Sequence, residues 1–203
     1  MKKIIIVATL LIAAQTYAAS CAEKKSCPQE CYASKDDFQC SRFTTAFSSG
    51  YVFKNDGIFR DVYGLGMVNV LTADICYHPW ERLWGIGGKI SYWLARGRTT
   101  MLRQRTFLQE IPVSLYVRKM KDFASGLRLY GSLGGCFAYI KEDNYLAHTK
   151  RYKGLGEVEA GLFYPVWRRM LITAAARYLF PRQGHPKVDV GGVDLRAGIG
   201  FFF

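Results

Sequence analysis

The chain has 203 residues and is half apolar, yet apart from Ile4 to Ala14 no stretch approaches the roughly 18 to 20 continuous apolar residues of a membrane-spanning helix. A helical membrane protein is therefore excluded. Lys and Arg number 28 against 16 Asp and Glu, a net charge of +12, which points to acidic partners. Lys2 and Lys3, the apolar run after them, and small residues around Ala18, Ala19 and Ser20 have the pattern of a secretory signal peptide over residues 1–20, expected to be removed. Export separates the chain from nucleic acid, so no nucleic-acid partner is expected.

Residues 21–41 read as a polar leader. Cys21, Cys27, Cys31 and Cys40 crowd into it, and in an exported chain they are disulfide candidates, within the chain or to a partner in the envelope. Their spacing lacks the paired CxxC of a zinc site, so neither metal nor other cofactor is expected. The stretch AASC also resembles a lipobox with Cys21 as the acylated residue, although Ala18 stands where such boxes usually carry Leu. Cys76 and Cys136 lie far apart in apolar runs.

From Arg42 onward the chain breaks into eight apolar stretches of strand length, approximately 42–54, 60–76, 84–96, 107–118, 125–140, 153–164, 170–181 and 190–203. The breaks HPWER, RKMKDFA and PVWRR are short, and they alternate with the longer, more charged RGRTTMLRQR, KEDNYLAHTKRY and PRQGHPKVD. Within the stretches apolar residues alternate with small or charged ones. Ile111, Val113, Leu115 and Val117 oppose Glu110, Ser114 and Arg118; Val158, Ala160, Leu162 and Tyr164 oppose Glu157, Glu159 and Gly161. In the last stretch Val193, Leu195, Ala197, Ile199, Phe201 and Phe203 oppose Asp194, Arg196, Gly198 and Gly200. The second stretch has no clear register, because Asn69 and Asp74 fall on opposite parities.

One face greasy to the chain end and the other charged and small suits a narrow barrel in a bilayer, where backbone hydrogen bonding must close on itself. The expectation is an all-β fold, an eight-stranded antiparallel up-and-down transmembrane β-barrel over residues 42–203. The chain resembles the small eight-stranded outer-membrane barrels, such as OmpX, OmpW and the membrane domain of OmpA. The tail carries the resemblance most sharply: Arg196, Gly198, Phe201 and Phe203 occupy the places of the terminal strand signal read by the barrel-assembly machinery in that class. The cysteine-rich leader departs from the class. The resemblance implies outer-membrane localisation, with both chain ends and the leader in the periplasm.

A barrel of eight strands is filled by its own side chains, so the inward charges Lys89, Glu110, Arg118, Arg128, Glu157, Glu159, Arg177, Asp194 and Arg196 are expected to pair, as a structural network or around a narrow gated passage or charged site. Tyr51, Phe53, Trp80, Trp84, Tyr92, Tyr164, Trp167, Tyr178, Phe180 and Phe201 fit interfacial girdles. The long loops are basic: Arg96, Arg98, Arg103 and Arg105 in the second, Lys150, Arg151 and Lys153 in the third. They suit acidic ligands, either phosphates of lipopolysaccharide or an acidic host polysaccharide. His78, His148 and His185 form no recognised catalytic signature, and no enzyme is expected. The sequence reading is thus a non-enzymatic outer-membrane barrel, structural or surface-exposed, in contact with outer-membrane lipid. The alternative is a narrow passage for small or hydrophobic solutes. A soluble lipocalin-like barrel would reverse the faces.

Overall fold

The structure is a computed structural model that describes residues 42–54, 57–64, 66–80, 83–98, 105–123, 126–143, 148–167, 169–180 and 191–203. The signal peptide, the leader with Cys21, Cys27, Cys31 and Cys40, and Arg103 lie outside the described residues.

Strands β1 (Phe43–Phe53), β2 (Met67–Trp80), β3 (Trp84–Arg98), β4 (Arg105–Asp122), β5 (Arg128–Asp143), β6 (His148–Trp167), β7 (Met170–Phe180) and β8 (Gly192–Phe202) run in chain order, with a short helix α1 (Gly57–Tyr63) between the first two. Each strand pairs antiparallel with the next, and β8 pairs with β1 to close the barrel. Closure extends to the last residue. Phe203 donates its N–H to the Phe43 carbonyl at 3.0 Å and accepts from the amides of Arg42 and Phe43 at 2.9 and 3.0 Å. Among the described strands none is left as an edge, which is the condition for crossing hydrocarbon.

The two-residue period decides which face looks out. Leu115, Leu133 and Phe137 are 73, 67 and 69% exposed, whereas Ser114, Arg118 and Ser132 on the same two strands are at most 5% exposed. Apolar outside and polar inside is the reverse of a soluble globule. Exposed Trp84, Tyr164 and Trp167 ring the rim of short turns, and Tyr51, Phe53, Tyr92, Tyr178 and Phe180 lie toward the rim of long connections.

Two sequence expectations need correction. The second strand begins at Met67, not near residue 60, because GIFRDVY forms α1. Gly64 and Gly66, at φ 88° and 67°, turn the chain back so that the Lys54 amide donates to the Gly66 carbonyl at 2.7 Å. This settles β2: Asn69 faces out and Asp74 faces in. The central strands also outrun their apolar stretches. Pairing continues to Arg98↔Arg105 and Asp143↔His148, since backbone ladders form between polar residues as readily as apolar ones, and hydropathy marks only the part in contact with lipid.

Candidate functional site

The lumen has three layers, each built from inward positions of several strands. At the short-turn end Met120, Tyr130, Phe163, Leu171 and Phe202 pack together, with the rings of Tyr130 and Phe163 stacked at 4.6 Å. Phe202, the middle phenylalanine of the tail, is thus a lumen plug, while Phe201 and Phe203 take the outward parity and are half-buried.

Above it lies the charged layer. All nine residues expected to point inward are at most 7% exposed, but they do not form one cluster. Seven of them gather with Asp74, whose register the sequence left open. Lys89 reaches Glu159 at 2.5 Å and Glu157 at 3.0 Å; Arg118 reaches Asp74 at 2.8 Å and Glu159 at 3.7 Å. Arg177 contacts Asp194 at 2.5 Å and Glu157 at 3.5 Å. Arg196 pairs with Glu159 and, at 2.8 Å, with Asp194. Four bases therefore meet four acids, and the layer is neutral. Hydroxyls complete it: Tyr130 donates to Glu159 at 3.0 Å, Tyr116 to Asp74 at 2.7 Å, and Ser114 to Glu157 at 2.7 Å. The Arg118 guanidinium also sits 4.3 Å from the Tyr130 ring centre. The space left between Asp74, Arg118, Tyr130, Glu159 and Arg196 is about 10 Å³, room for one water.

The other two of the nine lie apart. Arg128 pairs with Asp122 at 2.8 Å, where the carboxylate is half exposed at the short-turn rim. Glu110 sits higher, 3.7 Å from Lys54, and the Lys54 ammonium lies 4.7 Å from the centre of the Trp93 ring.

That pair belongs to the third layer, a cap that hydropathy alternation did not reveal. Val52, Phe59, Val68, Val70, Trp93, Ala95 and Leu108 form an apolar cluster, with Phe59 fully buried at its top. Tyr63 packs against it, and burial pushes its hydroxyl pKa above the ordinary value. Phe59, Val62 and Tyr63 have the i, i+3, i+4 spacing of a helix face, the signal by which α1 could have been read. The seat for α1 is Gly97: a Cβ there would lie 2.3 Å from the Val62 carbonyl oxygen and 2.7 Å from the Tyr63 ring. Gly97→Val should therefore lift α1 while leaving the barrel closed. Trypsin cleavage after exposed Arg60 is expected to rise on the order of tenfold with the gel shift on boiling unchanged; unchanged cleavage would show that α1 does not rest there.

Cys76 and Cys136 are buried free thiols inside the wall. His78 points inward to Thr44 at 3.1 Å, and exposed His148 stands 2.8 Å from Asp143. His185 lies outside the described residues.

The basic residues expected in loops stand instead on strand ends. Arg96 and Arg98 finish β3, Arg105 starts β4, and Lys150, Arg151 and Lys153 lie in the first turns of the ladder in β6. Arg96, Arg98, Arg105 and Lys150 are exposed and share the outward parity of the apolar belt; Arg151 and Lys153 have the inward parity, above the lumen. Across the ladder Arg98 is directly opposite Arg105, and Lys150 directly opposite Lys141.

A closed wall, a filled lumen and an apolar exterior define an eight-stranded transmembrane β-barrel. No protein-family model matches the chain, and no curated protein matches it in sequence. Solved structures do match in fold. Neisserial surface protein A is similar at TM-score 0.60 and 14% identity, over 79% of this chain and 97% of that one. OprG of Pseudomonas aeruginosa is similar at TM-score 0.63 and 14% identity, over 80 and 96%. Ail, the attachment invasion locus protein of Yersinia pestis, solved in complex with the heparin analogue sucrose octasulfate, is similar at TM-score 0.51 and 16% identity, over 80 and 97%. All three are small barrels of the class that the tail resembles.

Proposed function

We propose that the chain is a non-enzymatic outer-membrane protein, its short turns and both barrel ends in the periplasm, that offers a basic extracellular surface to acidic ligands, lipopolysaccharide or host polysaccharide. The observation that carries this reading is the contrast between the two sets of charge: inside the barrel bases and acids balance, whereas Arg96, Arg98, Arg105 and Lys150 stand outward and exposed at the long-loop rim. A balanced interior holds the wall together and has little left for a ligand. Exposed basic clusters attract multiply charged anions. The sulfated ligand held by Ail is in keeping with such a surface on this scaffold. The passage reading draws no support from a lumen filled at both ends by Phe202 and Phe59.

The test uses whole cells that produce the chain. Fractionation should recover it from the outer membrane as a band that runs faster unboiled than boiled, and the cells should retain a sulfated polysaccharide in a salt-sensitive way. Soluble, unshifted protein would sink the reading. Phe203→Ser is expected to lower outer-membrane abundance several-fold, because the side chain belongs to the proposed assembly signal. The backbone bonds of residue 203 to Arg42 and Phe43 do not depend on that side chain, so the folded fraction should keep its stability. Unchanged abundance would remove the assembly role of the tail.

A further inference from the structure

We infer that the outward face of β3 to β6 at the extracellular rim is a seat for a phosphorylated lipid of the outer leaflet, with Arg98 and Arg105 closing on one phosphate. The inference rests on the proposed outer-membrane placement and names the partner of the basic surface.

The ladder itself gives the first reason. Like charges directly opposite one another in an antiparallel pair destabilise it. Here Arg98 faces Arg105 and Lys141 faces Lys150, with Arg96 two residues from Arg98 on the same side. Asp143 relieves Lys141 at 2.5 Å and also contacts His148. Among the described residues no carboxylate pairs with Arg96, Arg98, Arg105 or Lys150. An anion bound between them turns repulsion into attraction, and two guanidinium forks match the oxygens of a phosphate.

Orientation gives the second. These side chains share the outward parity of Ile86, Ile90 and Tyr92 on β3 and of Phe107, Val113 and Leu115 on β4, all exposed. They therefore look sideways over the belt, toward the place of lipid headgroups, rather than up into water. A lipid reaches them with its acyl chains lying on the apolar wall below; a soluble polymer must enter the headgroup layer. The wall is also uneven. β3 to β6 have 15, 18, 16 and 20 residues, whereas β7, β8 and β1 have 11 each. On the low side the outward rim residues among those described are Phe53, Met67, Phe180 and Val193, which offer no charge. The seat is one sector, not a ring.

The experiment takes the full-length protein in neutral phosphatidylcholine nanodiscs doped with bis-phosphorylated lipid A or with its dephosphorylated form, and reads retained lipid by native mass spectrometry. Wild type should retain the phosphorylated lipid alone. Arg96→Gln/Arg98→Gln/Arg105→Gln should weaken retention on the order of a hundredfold. In lipid-free detergent the same variant should melt no lower than wild type, because it removes repulsion, and its gel shift on boiling certifies the fold. Equal retention of the two lipids, or retention by the variant, overturns the inference. Retention of a heparin oligosaccharide through the same arginines, without preference for phosphorylated lipid, overturns it while sustaining the acidic-ligand reading. Binding of neither overturns both.

Discussion

Glu159→Gln is expected to be among the most damaging single substitutions in the barrel, lowering the unfolding free energy by about 3 to 5 kcal/mol. Glu159 is 2% exposed and serves three cations at once: Lys89, Arg196 and, at 3.7 Å, Arg118. It also accepts from the Tyr130 hydroxyl. Glutamine keeps the shape but leaves four bases facing three acids in a layer closed off by packed aromatics. The one water that the space beside Glu159 could hold carries no charge and cannot replace the lost carboxylate. The measurement is urea unfolding of protein refolded into lipid vesicles, followed by tryptophan fluorescence. Adding Arg196→Gln restores the balance of charge and should recover a large part of the loss, since removing both partners of a buried pair costs less than removing one. A loss below about 1 kcal/mol for Glu159→Gln, the range of an exposed pair, would show that the layer is solvated and not closed.

What the sequence disclosed, and what it hid, follows from the same physics. The bilayer favours apolar side chains at outward positions, so the parities of Ile111 to Val117 and Val193 to Phe203 could be read directly, and with them the inward set that contains Glu159. Partners could not be read. Lys89 and Glu159 are 70 residues apart and meet only because the strand register, fixed by turn geometry, brings them to one height. Asp74 stayed hidden because polar residues on both faces of β2 blur its alternation near the rims. α1 was masked by its neighbours: its seven residues carry a single i, i+3, i+4 triplet, Phe59, Val62 and Tyr63, a short signal against the two-residue background of the flanking strands. At the rim, hydropathy ended where lipid ends, so Arg96, Arg98, Arg105 and Lys150 looked like loop residues. Their placement on a ladder, with the outward parity of the apolar belt, changes the partner they can take.

Closure of the wall predicts the second large effect. Gly198 takes an inward position on β8 opposite Ser48 of β1, and a Cβ at that position would lie 2.0 Å from the Phe47 carbonyl oxygen and 2.5 Å from the Ser48 Cα. Both obstacles are backbone, so no rotamer change removes them. The strands must separate at the seam between the first and last elements, the joint that makes the sheet a barrel. Unpaired amides at such a seam face hydrocarbon, where each costs several kcal/mol. Gly198→Val is accordingly expected to lose on the order of 3 kcal/mol, and to shift most of the protein to the slow band on unboiled gels. Gly135→Val supplies the contrast: on the outward face of β5 an added Cβ meets nothing within 4 Å, so a larger apolar side chain there enters lipid and should leave the fast band intact. Both variants carry the same chemical change in the same chain, so propensity alone predicts similar outcomes. Equal band patterns would mean that the β1–β8 seam is looser than the contact distances require; a selective loss at Gly198 ties barrel stability to the close approach of its two terminal strands.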